Sequence, residues 1–143
     1  MKVRDIMTKD PACVTLETSL HDVAHLMFDQ DCGSIPVTES KDSKIPVGVI
    51  TDRDITIRTV AHGKNPLNMI AGEVMTDSVI TVAPDATVED CVDRMETNKL
   101  RRVLVVDENR EICGIVAQAD IALRAEPGET AELLKDVSRA AGA

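Results

Sequence analysis

Few residues of this chain have a type and spacing that suggest chemistry. His21 and His25 lie four positions apart, at which two imidazoles on one helix can bind a metal ion. Both flank an apolar stripe and no obvious third ligand accompanies them, so no metal site is expected. Thr51 and Asp54 lie three positions apart after an apolar segment, where a hydroxyl and a carboxylate can form a capping box at a helix start.

No Ser-His-Asp, Cys-His or paired-carboxylate arrangement stands in a coherent motif, so the chain is not expected to be an enzyme. Its four cysteines, Cys13, Cys32, Cys91 and Cys113, lie in apolar stretches without CxxC spacing. Each is expected to be a small buried residue, with a Cys13–Cys32 disulfide as an alternative. The sequence has no apolar signal core and no run that could span a bilayer. A cytoplasmic location, where thiols stay reduced, is therefore expected.

Composition argues against two classes of partner. The 143 residues carry a formal net charge of -9 and a pI of about 4.7, which repels phosphate backbones and anionic lipids. There is no Trp or Tyr, and Phe28 is the only Phe, so no platform for stacking bases exists. Neither nucleic acid nor a membrane is expected as a partner, whereas a locally basic pocket for a small anion is permitted.

The chain contains an internal repeat. The motif D/E-[IV]-M-T occurs at 5–8 and again at 73–76, and Gly-x-[IV]-x-x-x-Asp-Ile occurs at 48–55 and 114–121. The two copies of the second motif are two residues closer together than the two copies of the first motif. The first repeat therefore carries two extra residues, which we place in the polar loop 39–44. Repetition at this scale indicates two copies of one structural unit.

Each copy predicts the order strand, helix, strand, strand, helix. Ser19 and Thr87 are the expected N-caps, each with an Asp three positions later. Apolar residues then recur at i, i+3, i+4 and i+7, which predicts one buried helix face. They are Leu20, Val23, Ala24 and Met27, and Val88, Cys91, Val92 and Met95. Strands are predicted at 13–16, 34–38 and 46–51, and at 79–82, 103–107 and 112–117. Their near-continuous apolar character favours strands covered on both faces.

These patterns predict an α/β (α+β) fold of two β-α-β-β-α repeats packed sheet to sheet. We assign residues 1–63 to repeat 1, 64–70 to a linker, 71–125 to repeat 2 and 126–143 to a C-terminal helix and tail. Gly63 is the expected C-cap of repeat 1, and the last helix is expected at 129–139. One repeat alone is small for an independent core, so the two are expected to pair.

The repeated motifs resemble those of a tandem pair of cystathionine-β-synthase (CBS) domains, often called a Bateman module. The resemblance is carried by D/E-[IV]-M-T, the capped helix, the strand ending in Val106-Asp107-Glu108 and Gly-x-[IV]-x-x-x-Asp-Ile. Each motif alone is weakly specific, but all of them in order and twice are highly specific. The resemblance implies two units related by a pseudo-twofold axis, which in this family usually form a flat homodimer.

The resemblance also implies a ligand. Many CBS pairs bind AMP, ADP, ATP, S-adenosylmethionine or NAD in the inter-repeat cleft, through a hydroxyl residue and an Asp three positions later. Thr51 and Asp54 match that motif, and a carboxylate has acceptor sites for two adjacent ribose hydroxyls. The helix start is also expected to offer backbone N–H groups to an anion. In the second copy Asp120 is retained, but Ala117 replaces the hydroxyl residue.

Further ligand contacts follow from the same resemblance. A basic pair that opens the middle strand often meets phosphate in such modules, and Arg101 and Arg102 hold that position. The first copy has the uncharged residues 33–34 there. A solvated strand end or ion pairing is the alternative role for the two arginines. By analogy, adenine is expected to lie near Val14, Ile35 and Ile80.

The expected function is a free-standing regulatory module that requires no cofactor. It would bind an adenosine-containing ligand, an adenine nucleotide or S-adenosylmethionine among them, and signal to a separate, unidentified protein partner. The alternative is a ligand-free dimeric protein-interaction module, which Ala117 and the uncharged residues 33–34 favour. In that case a capping box at the helix start is sufficient to explain why Thr51 and Asp54 are present, and no ligand is needed.

Overall fold

The computed structural model describes residues 1–124, which form two compact units. Unit I is Ala12–Val79, and unit II combines Met1–Pro11 with residues 80–124. The mixed α/β class and the β-α-β-β-α order expected from the repeats are confirmed in both units. The helix expected at 129–139 lies outside the described residues.

Unit I is built on a three-stranded sheet. Its elements are β2 (Val14–Thr15), α2 (Leu20–Gln30), β3 (Ser34–Thr38), β4 (Pro46–Thr51), α3 (Asp52–Arg58) and α4 (Ala71–Val74), with 3-10 turns at Val60–His62 and Pro66–Asn68. The strand order is β2-β3-β4. β2 runs parallel to β3 and β3 antiparallel to β4, so a helical crossover is followed by a hairpin.

Unit II repeats this plan with one more strand. Its elements are α1 (Val3–Ile6), β1 (Thr8–Lys9), β5 (Thr81–Val82), α5 (Val88–Asn98), β6 (Arg102–Val106), β7 (Ile112–Ala117) and α6 (Gln118–Arg124). The strand order is β1-β7-β6-β5. β5 and β6 are parallel, and the other two pairings are antiparallel.

The compact units do not coincide with the sequence repeats, because the opening segments are exchanged. α4 opens the second repeat but belongs to unit I, and α1 opens the first repeat but belongs to unit II. Ala71 and Val74 are fully buried in the core of unit I, as Val3 and Ile6 are in unit II. Burying one such Val or Ile side chain contributes about 1.5–3 kcal/mol, so each unit depends on the opening segment of the other repeat.

Within residues 1–124 the helix predictions are confirmed with one exception. The hydroxyls of Ser19 and Thr87 each accept the backbone N–H three positions later, at 3.1 Å. Gly63 adopts the left-handed conformation of a C-cap, with φ 71°. Ala24 was expected on the buried face of α2, but it is exposed, because α2 buries only the narrower stripe of Leu20, Val23 and Met27.

Three of the four long strands have the predicted bounds, whereas β6 (Arg102–Val106) begins and ends one residue earlier than predicted. The short strands predicted at 13–16 and 79–82 form only at Val14–Thr15 and Thr81–Val82. All five residues of β3 are buried, which confirms a strand covered on both faces. For β4 and β7 that expectation is wrong, since buried and half-buried residues alternate along β7 and along β4 from Val47 onward. One face of β7 is therefore less completely covered than the other.

The cysteines differ from one another in exposure. Cys91 is buried, Cys32 and Cys113 are half-buried, and Cys13 is exposed, contrary to the expected burial. None of the four forms a disulfide within residues 1–124. Burial raises the pKa of the Cys91 thiol to about 11, because the charged thiolate is poorly solvated inside the core of unit II.

Candidate functional site

The candidate site in unit I is the turn from β4 into α3. Thr51 is the last residue of β4 and the N-cap of α3, with extended φ and ψ of -114° and 161°. Its hydroxyl accepts the backbone N–H of Asp54 at 2.9 Å, and its own N–H donates to Oδ2 of Asp54 at 3.1 Å. The capping box predicted for this pair is therefore formed, and it holds the Asp54 carboxylate against the strand end.

Two side chains outside the turn also contact Asp54. The Thr76 hydroxyl lies 3.4 Å from each carboxylate oxygen, and Arg58 Nε lies 3.9 Å from Oδ1. The Asp54 side chain keeps 15% of its surface exposed. The carboxylate is thus held by its neighbours, while the side chain that carries it remains partly exposed.

Gly48, the glycine of the repeated motif, lies on β4 next to Met75 and Thr76. A Cβ atom on Gly48 would lie 2.6 Å from Sδ of Met75 and 2.7 Å from the carbonyl oxygen of Thr76. The backbones of Val49 and Thr76 exchange two hydrogen bonds of 2.9 Å at this point. Only glycine allows the segment carrying Met75 and Thr76 to approach β4 so closely.

Unit II has an equivalent turn from β7 into α6. The Ala117 N–H donates to Oδ2 of Asp120 at 2.8 Å, and the Thr8 hydroxyl lies 3.3 Å from Oδ1. Met7 contacts Gly114 as Met75 contacts Gly48. Because Ala117 has no hydroxyl, it cannot accept the Asp120 N–H as Thr51 accepts that of Asp54.

The expected anion site at the start of α3 is not available in unit I. The N–H of Asp52 donates to the Gly33 carbonyl at 3.0 Å, and the N–H of Arg53 donates to the Asp52 carboxylate at 2.8 Å. The third N–H, that of Asp54, is taken by Thr51. The sequence-based expectation of unpaired amides is therefore wrong for these three groups, since the chain itself supplies their acceptors.

The other expected ligand residues are divided between the units. Arg101 and Arg102 are exposed, and Arg102 faces Ala117 across β6 and β7 in unit II. The Arg101 carbonyl accepts the N–H of Gln118, the first residue of α6, at 3.1 Å. The basic pair therefore lies beside the turn that contains Asp120, and it belongs to a different unit from Thr51 and Asp54.

The expected adenine contacts show the same division. Val14 and Ile35 are buried in the core of unit I, whereas Ile80 is half-buried at the start of the unit II segment. Ile35 is only 1% exposed and pairs with Ile50 across the sheet. Val14 also lines an open pocket of about 350 Å³ in unit I, whose other lining residues are Cys13, Thr15, Thr18, Asp22, His25, Leu26, Asp29 and Lys41.

The contacts of Thr8 with Asp120, and of Thr76 and Arg58 with Asp54, were not predicted from the sequence. The signal was present, because D/E-[IV]-M-T and Gly-x-[IV]-x-x-x-Asp-Ile both occur twice. In each unit these two motifs lie in contact, although they belong to different repeats. Because the two motifs recur together, the sequence could have suggested that they lie in contact. It could not have shown that each contact joins motifs of different repeats.

Within residues 1–124 no cluster of three or more His, Cys, Asp or Glu side chains is arranged to bind a metal ion. His21 and His25 instead stack with ring centroids 6.4 Å apart. Each lies close to a neighbouring carboxylate, Asp22 at 3.3 Å and Asp29 at 3.4 Å. The two histidines are thus surface residues of α2 with acidic neighbours.

Comparison with known proteins decides the family. The CBS domain family model matches residues 3–58 and again residues 71–126. The chain belongs to the CBS-domain family. An uncharacterised protein of Methanopyrus kandleri, MK0525, is 36% identical over 136 residues, and this chain spans 95% of its own length and 65% of that relative.

Two solved structures of CBS proteins were obtained with adenosine-containing ligands. The CBS domain pair of protein MJ0100, in complex with 5′-methylthioadenosine and S-adenosylmethionine, is 28% identical with a TM-score of 0.74, over 86% of this chain and 98% of that one. CBSX2 in complex with AMP is 25% identical with a TM-score of 0.71, over 87% and 95%. Such ligands are therefore bound by structural neighbours of this CBS pair.

The helices of this CBS pair are short. The longest two among the described residues, α2 and α5, have 11 residues each. A bilayer requires about 20 apolar residues in one helix, and no described helix meets that requirement.

Proposed function

We propose that this CBS pair is a non-enzymatic regulatory module that binds an adenosine-containing ligand through Thr51 and Asp54. The observation that carries the proposal is the geometry of Asp54: a carboxylate held by the Thr51 N–H and the Thr76 hydroxyl, with 15% of its surface still exposed. An ionised carboxylate only accepts hydrogen bonds and has about four lone-pair sites. Adjacent ribose hydroxyls are donors of the matching kind.

The ligand class is supported by the structural neighbours. MJ0100 is in complex with S-adenosylmethionine and methylthioadenosine, and CBSX2 with AMP. These ligands share the adenosine group and differ in charge beyond it. We therefore propose that the ribose is the common feature recognised by Asp54, with AMP, ADP, ATP, S-adenosylmethionine and NAD as the candidates. The ligand acts as a regulator, and no cofactor is required.

In unit II we propose a second, weaker site at Asp120. Arg101 and Arg102 are exposed beside that turn, where their guanidinium groups can contact phosphate oxygens. The hydroxyl that Thr51 supplies in unit I is missing at Ala117. A ligand with a long phosphate chain would gain most from this site.

We further propose that the module acts as a cytoplasmic homodimer that signals to a separate protein. Large apolar side chains are exposed on both units, including Phe28 and Leu123 at 81% each, and burying such side chains against a second copy would be favourable.

The test is a thermal-shift titration against the five candidate ligands, with Asp54→Asn and the matched control Asp52→Asn on the same turn. A ligand specific for the native state raises the free energy of unfolding by about 2.7 kcal/mol at a hundredfold excess over its Kd. For this chain length that is a midpoint shift of roughly 8–11 °C. Asp54→Asn should lose the shift and Asp52→Asn should keep it.

The second candidate function is a ligand-free dimeric interaction module. It is favoured by the occupied amides at the start of α3, which leave the Asp54 turn explained by capping alone. A protein that dimerises in sedimentation experiments but shows no shift with any of the five ligands would support this second function. It would contradict the first.

A further inference from the structure

The segment that contacts Asp54 is itself rigidly held. We call residues 70–76 the arm; they open the second sequence repeat but belong to unit I. The Ile70 N–H donates to the Glu73 carboxylate at 3.2 Å, which caps α4. Val74 is fully buried, and Thr76 is hydrogen-bonded to β4 through both its N–H and its carbonyl.

Arg58 joins the arm to the Asp54 carboxylate. Its Nη1 donates to the carbonyls of Val74 at 3.0 Å and Met75 at 2.8 Å, and its Nη2 lies 3.5 Å from the Thr76 hydroxyl. Its Nε lies 3.9 Å from Oδ1 of Asp54. A guanidinium group can serve these acceptors together because its donors are fixed in one plane.

We propose that Arg58 and Thr76 are positioning residues for Asp54. This proposal rests on the proposed function, which supplies the ligand that Asp54 binds. The Thr51 N–H fixes Oδ2, the Thr76 hydroxyl approaches both oxygens, and Arg58 fixes the arm that carries Thr76. Rotation of the carboxylate is restricted before a ligand arrives, so less ordering is required when the ribose hydroxyls bind.

Unit II shows that this network exceeds what the fold requires. The equivalent arginine, Arg124, has one hydrogen bond to the opening segment, from Nη1 to the Ile6 carbonyl at 3.1 Å. The Thr8 hydroxyl contacts one oxygen of Asp120. A single bond is compatible with the same docking of α1. Two of the additional contacts of Arg58, to the Met75 carbonyl and the Thr76 hydroxyl, join it to the arm, and the third brings Nε to 3.9 Å from Oδ1 of Asp54.

The test separates hydroxyl chemistry from packing at Thr76. Thr76→Val keeps the shape and removes the donor, whereas Thr76→Ser keeps the donor. We expect Thr76→Val to raise the Kd of AMP and S-adenosylmethionine about fivefold and Thr76→Ser to leave it within about twofold, since one long hydrogen bond to a charged group is lost. Equal affinities in wild type and Thr76→Val would overturn the proposal, because a packing role would give that result.

A second measurement needs no ligand. Hydrogen exchange of the Thr76 and Val49 amides should be about tenfold faster in Arg58→Gln than in Arg53→Gln, which removes the same charge from the same helix. Equal exchange in the two variants would overturn the role of Arg58, whether or not a nucleotide binds. If wild type binds neither ligand, the proposed function fails, and the exchange rates alone support or overturn the positioning of the arm.

Discussion

The turns at Asp54 and Asp120 share one backbone plan and differ in the groups around it. In both, the Asp accepts the N–H of the last strand residue, at 3.1 Å and 2.8 Å, and the hydroxyl of a Thr from an opening segment. Among the residues that the structure describes, only unit I adds the Thr51 hydroxyl and an arginine within 4 Å of the carboxylate. The aspartate itself is therefore explained by the fold, and a binding role must be inferred from its surroundings.

The two units also differ in the groups that we propose for a nucleotide. The hydroxyl and carboxylate groups proposed for ribose are most complete in unit I, around Thr51 and Asp54. The exposed basic pair proposed for phosphate, Arg101 and Arg102, lies in unit II. Two copies of one fold thus carry different side chains at and beside equivalent turns.

The largest effect that tests this comparison is expected at the two glycines. Gly48→Ala should lower the free energy of unfolding by about 2–3 kcal/mol, because its Cβ would lie 2.7 Å from the rigid Thr76 carbonyl. Gly114→Ala should cost less, since the corresponding Thr8 carbonyl is 3.1 Å away and Met7 can change rotamer. Urea denaturation measures both.

Gly63→Ala is the control for these two variants. Gly63 has φ 71°, and no atom of the described residues lies within 4 Å of the position that a Cβ would take there. Only backbone strain of about 1 kcal/mol is therefore expected. A cost at Gly48 no greater than at Gly63 would show that the close contact with the arm is not formed in solution.

A smaller effect follows from exchanging the residues that distinguish the two turns. Thr51→Ala removes an N-cap hydroxyl and should lower the free energy of unfolding by about 1 kcal/mol. Ala117→Thr introduces the same hydroxyl beside Asp120 and should raise it by roughly 0.5–1 kcal/mol. Denaturation midpoints that move in the same direction for both would contradict the structural equivalence of the turns.

The smallest effect, taken at pH 9.5, concerns the buried thiol of unit II. Because burial raises the pKa of Cys91 to about 11 from 9, the unfolded thiol ionises first as the pH rises above 9. The free energy of unfolding is then lost between about pH 9 and pH 11, by about 0.8 kcal/mol at pH 9.5. Cys91→Ala should remove this part of the slope, and an unchanged slope would contradict burial of the thiol.

The sequence was sufficient to predict the strand-helix-strand-strand-helix order of both repeats, but not the opening elements α1, β1 and α4 or the unit to which each belongs. Hydrophobic spacing placed β3, β4 and β7 at their observed bounds, because strand and helix periodicities are local properties. The position of α4 in unit I was not predicted, since packing between distant segments leaves no local pattern. The capping box at Thr51, a local pattern, was predicted, whereas the contact of the distant Thr76 with Asp54 was not. The Arg58–Asp54 pair has the local i,i+4 spacing and was predictable, but it was not predicted.

The central claim is that unit I holds the stronger ligand site and that Asp54 carries it. Isothermal titration with the best ligand of the thermal-shift series tests this directly, in wild type, Asp54→Asn and Asp120→Asn. We predict that the tighter binding event is lost in Asp54→Asn, by tenfold or more in Kd, and is retained in Asp120→Asn. Retention of the tighter event in Asp54→Asn, or its loss in Asp120→Asn alone, would contradict the account.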